Sequence, residues 1–275
     1  MATYAVSDMH GCKAALDALL DHVGLGEKDE LWVLGDLADR GPDPVGVLAW
    51  ATIAPENVHF LLGNHDQMML SCLSRDPEHP APGVNDDWLF NGGVQTCDEL
   101  RERTTARWRT ESLVPFLEAL EPTARVEAGG TEFQLVHAGF DPAYYDDGEA
   151  DEPDEASYAD LRYVPGFGLQ SVNDMIWIRQ PWLLDAAPSP VACVFGHTPT
   201  INWPVLEPRF AARGIAATGA SGEPIVALNR IDIDCGCAYG GALCLLCLDD
   251  LTYSLADVAG ALTRIDVPLE LPSSA

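Results

Sequence analysis

The chain has 275 residues, 47% of them hydrophobic and 21% charged, with a mean hydropathy of +0.01. That composition excludes a disordered chain, and the longest apolar stretch, Val45 to Ala54, is about half the ~20 residues that cross a bilayer. With 43 acidic against 15 basic side chains and a net charge of -28, the surface repels nucleic-acid phosphates and anionic lipid, which excludes both as partners. The N-terminus lacks a basic segment and a long apolar one, so no signal peptide is expected and the predicted location is cytoplasmic. Residues 3 to 7 read as a buried strand ending at Ser7-Asp8. Leu16, Leu19, Leu20 and Val23 recur at helical spacing, and Gly24 stops that helix. Leu31 to Leu34 form a second strand that runs into Gly35-Asp36. Asp43-Pro44 supplies an N-cap and first turn for a helix through Trp50. Val58 to Leu62 form a third strand, followed by Gly63-Asn64-His65-Asp66. This β-α-β-α-β order predicts an α/β sheet.

Further on, Phe133 to Val136 is a strand ending at His137-Ala138-Gly139, and Val191 to Phe195 is another ending at Gly196-His197-Thr198. The acidic stretch between them, residues 141–160, is expected to be an exposed loop. Residues 225–248 read as strands joined by a turn at Gly240-Gly241, with a short tail behind. No repeat and no Gly/Ser linker divides the chain, so residues 1–275 are expected to form one domain. Cys235, Cys237, Cys244 and Cys247 have the spacing C-x-C-x6-C-x2-C in strand-like surroundings. Strand alternation would point Cys244 and Cys247 to opposite faces, so core packing is expected rather than a zinc site.

Every one of these five strands runs into a polar cluster, where open α/β sheets bind ligands. Asp8, His10 and Asp36 offer two carboxylates and an imidazole; Asn64, His137 and His197 add an amide and two imidazoles. Mixed oxygen and nitrogen donors suit manganese, iron or zinc. A bridging carboxylate such as Asp36 can hold two ions ~3.5–4 Å apart, a spacing that activates water for in-line attack on phosphorus.

The ordered motifs Ser7-Asp8-Met9-His10-Gly11, Gly35-Asp36-Leu37-Ala38-Asp39-Arg40-Gly41, Gly63-Asn64-His65-Asp66, His137-Ala138-Gly139 and Gly196-His197-Thr198 resemble those of calcineurin-like metallophosphoesterases, in their phosphoprotein-phosphatase branch. Trp88 with Asn91-Gly92-Gly93, Trp177-Ile178-Arg179, and Asp234-Cys235-Gly236 with Tyr239-Gly240-Gly241 are similar to the bacterial and phage-type members, and the likeness runs from about residue 3 to residue 250. The resemblance implies a mixed β-sandwich flanked by helices, with a dinuclear metal site at strand C-terminal ends. It implies two divalent ions, manganese foremost. Asp8, His10 and Asp36 would hold one, Asp36, Asn64, His137 and His197 the other, and a bridging water or hydroxide would attack phosphorus directly. It further implies His65 as general acid oriented by Asp39, with Arg40, Arg179 and Asn64 on the phosphate oxygens.

Ser7 stands where glycine is commonest in the family, and Asp66 where the eukaryotic enzymes carry glutamate. Asp39 bears on substrate. Symmetrical dinucleoside tetraphosphate hydrolases tend to lack an aspartate there and protein phosphatases keep it. With Trp88 and Asn91-Gly92-Gly93, this puts a serine/threonine-type protein phosphatase first, acting on a phosphorylated protein or small phosphoester. A symmetrical bis(5′-nucleosyl)-tetraphosphatase-like pyrophosphohydrolase is the alternative. An inactive phosphoprotein-binding module would be expected to lack a metal ligand or the general acid, and the chain retains all of them. Tyr239 is expected to be a packed tyrosine.

Overall fold

The computed structural model describes residues 1–80, 87–145 and 160–272. Two six-stranded sheets form its frame. The first contains β1 (Thr3–Val6), β2 (Glu30–Val33), β3 (Val58–Phe60), β12 (Ala242–Cys247), β13 (Thr252–Asp257) and β14 (Leu262–Pro268), in the order β14-β13-β12-β1-β2-β3. β1, β2 and β3 run parallel, with Tyr4 opposite Leu31 and Leu31 opposite Val58. The second sheet is β4 (Thr123–Ala128), β5 (Thr131–Val136), β8 (Ala192–Phe195), β11 (Arg230–Asp232), β10 (Ile225–Ala227) and β9 (Ala217–Thr218), with β5, β8 and β11 parallel. A separate hairpin pairs β6 (Leu161–Val164) with β7 (Gly168–Ser171).

Alternation along the strands explains the layering, since successive side chains point to opposite faces. Ala5, Leu34, Phe133, Leu135, Val194, Ile231 and Leu246 meet in one buried cluster fed by both sheets. Val6, Leu31, Val33 and Leu245 face the other way, against Leu16 and Leu19 of α1 (Lys13–Val23) and Val47 and Leu48 of α2 (Pro44–Ala51). On the outer face of the second sheet, Val136, Cys193 and Phe195 pack on Met175 and Trp182. The result is a mixed sandwich flanked by helices.

The caps behave as the sequence predicts. Gly24 closes α1 in the left-handed conformation and Asp43 caps α2 through the amide of Gly46. Two readings of the C-terminal region change. Gly240-Gly241 joins no hairpin, because β11 and β12 belong to different sheets, and the expected tail supplies β13 and β14. The acidic stretch lies mostly outside the described residues, which include only 141–145 and 160 of it. Cys235 contacts Cys244 while Cys237 contacts Cys12, so the four clustered cysteines do not converge and the packing reading holds. Among the described residues no helix is long and apolar enough to cross a membrane.

Candidate metal centre

The loops after the parallel strands zip together beyond the sheet. The amides of Asp8, His10 and Gly11 donate to the carbonyls of Gly35, Asp36 and Leu37. Gly35, at φ +91°, lies so close to Gly63 that a Cβ on it would sit 2.5 Å from the Gly63 nitrogen, so a side chain there would push the β2 and β3 loops apart. Behind them is Asp66, in the first turn of α3 (Asn64–Leu73). Its carboxylate accepts the amides of Gly63 at 3.0 Å, Asp36 at 2.8 Å and Leu37 at 3.2 Å. Burial pushes this carboxyl up to about 6 while the three amides pull the other way.

Asp8, His10, Asp36, Asp39, Arg40 and His197 all have positive φ, six of the ten such non-glycine residues described. Backbone held this way costs on the order of 1–3 kcal/mol per residue and gathers at functional sites. Sequence reading missed this feature, which no composition signal marks.

The histidines share one orientation. His10 Nδ1 donates to the Ala38 carbonyl and His137 Nδ1 to that of Leu34, both at 2.8 Å, and His197 is hydrogen-bonded to the Trp177 backbone. The Nε2 lone pairs of His137 and His197 are thereby left facing the centre, while that of His10 accepts from Arg40. Burial foremost lowers His10 to about 3 and holds His65 and His197 well below the usual imidazole range.

Two groups of donors converge to within 4.8 Å of one another: His10, Asp36 and His65, and Asp36, His137 and His197. Asp36 belongs to both, its Oδ2 3.5 Å from His10 Nε2 and its Oδ1 3.5 Å from His137 Nε2. The donor set fits cations on three counts. His197 Nε2 is buried without a hydrogen-bond partner. Asn64 Oδ1 and His137 Nε2, both acceptors, face each other at 3.0 Å, an arrangement a cation between them relieves. Asp36 is raised well above the carboxylate range by burial, then by Asp8 and Asp66, a repulsion that positive charge offsets.

Asp8 lies beside these groups. Its Oδ2 accepts from Ser7 Oγ at 2.5 Å and from the His197 amide at 2.9 Å, which gives Ser7 a part that its identity alone did not suggest. His65 enters the first group, with Nε2 3.9 Å from Asp36 Oδ2. Its Nδ1 donates to Asp39 Oδ2 at 2.6 Å. Asp39 also accepts from Trp88 Nε1 at 2.7 Å and Thr96 Oγ1 at 2.5 Å, so a buried indole and hydroxyl fix the carboxylate that fixes the imidazole. Thr96 was not legible beforehand.

Arg40 Nη1 donates to His10 Nε2 at 2.8 Å, and its guanidinium lies 5.3 Å over the ring of Tyr239. Tyr239 is 50% exposed, correcting the expectation of a packed side chain. Arg179 donates to the His197 carbonyl at 3.2 Å. The centre thus combines convergent imidazoles and carboxylates with two arginines, the equipment for hydrolysing a phosphoric ester.

The chain belongs to the calcineurin-like phosphoesterase family, whose sequence profile matches residues 1–222. It is a metal-dependent hydrolase of phosphoric ester bonds. It is similar to the symmetrical bis(5′-nucleosyl)-tetraphosphatase of Pectobacterium atrosepticum, 29% identical over 92% of this chain and 94% of that one. The protein of the same description from Pseudomonas fluorescens is 25% identical over 90% and 92%. Among solved structures, a provisionally assigned diadenosine tetraphosphatase superposes with a TM-score of 0.52 at 21% identity, covering 96% of this chain and 93% of that one. A cold-active protein-tyrosine phosphatase from a Shewanella species gives 0.50 at 15% identity, covering 95% and 79%. Both are likenesses of fold.

Proposed function

We propose that the chain hydrolyses the central anhydride of dinucleoside tetraphosphates, releasing two nucleoside diphosphates. The similarity to symmetrical tetraphosphatases over 90–92% of the chain carries this reading. It reverses the order suggested by Asp39 with Trp88 and Asn91-Gly92-Gly93. Two divalent ions, manganese foremost with iron and zinc served by the same donors, would supply positive charge against the phosphate and an activated water. Asp8, His10, Asp36, Asn64, His137 and His197 would hold them, with Asp36 shared.

The remaining roles fall to this chain's own side chains. Arg40 and Arg179 grip the non-bridging oxygens with planar forks, and Asn64 adds its amide. His65, its Nδ1–H held by the Asp39 carboxylate, would take up a second proton on Nε2 from solvent as the anionic substrate docks and pass that proton to the bridging oxygen as its bond to phosphorus breaks. A cytoplasmic location belongs to the same proposal.

A serine/threonine protein phosphatase is the second reading, favoured by the Asp39–His65 hydrogen bond. The alkoxide leaving from serine or threonine is far more basic than a departing diphosphate, and so depends more on a general acid. The test gives manganese-loaded protein diadenosine tetraphosphate and, separately, a phosphothreonine peptide. ADP as the sole nucleotide product supports the first reading. ATP with AMP, or faster turnover of the peptide, overturns it.

A further inference from the structure

A pocket of about 500 Å³ opens beside the metal centre. Its wall includes Arg179, Tyr239, Ile201, Asn202, Val205 and Arg209, and its volume lies in the range of small-molecule sites. It adjoins the centre through Arg179, which is hydrogen-bonded to the His197 carbonyl, and through Tyr239, which carries the Arg40 guanidinium over its ring.

Basic side chains are scarce in this chain, 15 against 43 acidic ones, and several of the exposed arginines are spent on carboxylates. Arg101 reaches Asp98, Arg103 reaches Asp43 and Glu99, Arg107 reaches Glu111, and Arg264 reaches Glu223. Arg209, on α10 (Trp203–Ala211), is exposed and reaches no carboxylate among the described residues. In a protein with 43 acidic side chains, an unpaired guanidinium on a pocket wall is a cation available to an anionic ligand. The rest of the wall is of another kind. A half-exposed aromatic ring beside exposed Val205 and half-buried Ile201 is a surface for a flat apolar group, and Asn202 supplies a donor and an acceptor at its edge.

We propose that this pocket is a nucleotide subsite. It takes the base against Tyr239, Ile201 and Val205, while Arg179 and Arg209 engage two successive phosphates of the same nucleotide. The assignment rests on the dinucleotide reading above and gives that reading a specificity element which the metal centre lacks. A phosphopeptide would leave the pairing of an aromatic wall with a second arginine without a use.

The test is equilibrium binding of ADP, adenosine and inorganic phosphate to the manganese-loaded chain. ADP is expected to bind at least about tenfold more tightly than phosphate. Arg209→Ala is expected to weaken ADP about five- to tenfold and adenosine hardly at all, and Val205→Trp to weaken ADP and adenosine alike. Both residues are exposed, so neither variant threatens the core. ADP binding no tighter than phosphate, or unchanged by Arg209→Ala, overturns the subsite. The two readings separate in a parallel assay. Intact diadenosine tetraphosphate alongside Arg209-dependent ADP binding would keep the pocket and remove the tetraphosphatase reading. Cleavage of the dinucleotide alongside weak ADP binding would remove the pocket alone.

Discussion

Asp39 Oδ2 stands 2.6 Å from His65 Nδ1 and 2.7 Å from Trp88 Nε1, so one carboxylate oxygen orients the imidazole while an indole orients the oxygen. The pair fixes Nδ1–H toward Asp39 and turns Nε2 to the centre, so the proton His65 would give a leaving group is one first taken up on Nε2.

The expected consequence of Asp39→Asn depends on the substrate. General acid catalysis is worth about 10²–10⁴-fold where the leaving oxygen is basic. A departing nucleoside diphosphate has a pKa near ~6 and needs little of it. Turnover of an alkyl phosphate or phosphothreonine peptide should therefore fall by about 10²-fold, and that of diadenosine tetraphosphate by less than about tenfold. Paired kcat measurements check this, and equal losses on both substrates would mean that Asp39 acts by holding the loop in shape.

Asp66→Ala removes the acceptor of three buried amides, those of Gly63, Asp36 and Leu37. Each orphaned buried donor costs about 1–3 kcal/mol, so a stability loss of at least about 2 kcal/mol is expected. Denaturant unfolding in the presence of chelator measures it free of any metal contribution. An unchanged midpoint would show that water replaces the carboxylate.

Gly196 packs where a Cβ would fall 2.1 Å from Asp8 Oδ2 and 2.2 Å from Ser7 Oγ. Gly196→Ala must therefore displace the carboxylate that accepts the His197 amide. Manganese affinity should drop about tenfold or more while circular dichroism stays native. Unaltered affinity would show that Asp8 does not face the ions.

Much of this was legible because strand and helix periods are local. The strand ends at Asp8, Asp36, Asn64, His137 and His197 could be placed from hydrophobic runs a few residues long, and their donor chemistry then suggested ions. What could not be read depends on pairing across the chain. Asp66 resembles an ordinary helix-start acid until its partners, the Asp36 and Leu37 amides 30 and 29 residues away, are seen. Thr96 meets Asp39 across 57 positions. Gly240-Gly241 reads as a hairpin turn because a sequence does not state that β11 and β12 join different sheets. β14 shows hardly any buried residue, so its pattern resembles a tail.

Metal binding should appear directly in stability. The centre gathers buried Asp8, Asp36, Asp66 and Asp234 with no lysine among them, and burial and mutual repulsion raise Asp36 and Asp234 well above the carboxylate range. A ligand bound only by the folded state adds RT ln(1 + [L]/Kd), about 2.7 kcal/mol at one hundred times Kd. At roughly 2–4 °C per kcal/mol for a chain near this size, manganese added to chelator-treated protein should raise Tm by about 5–10 °C. His197→Ala, which removes the buried Nε2 that has no hydrogen-bond partner, should abolish most of that rise measured against its own metal-free baseline. His79→Ala serves as the control, since its side chain is 82% exposed and lies outside both donor groups. A manganese-induced shift of the same size in all three proteins would place the ions elsewhere.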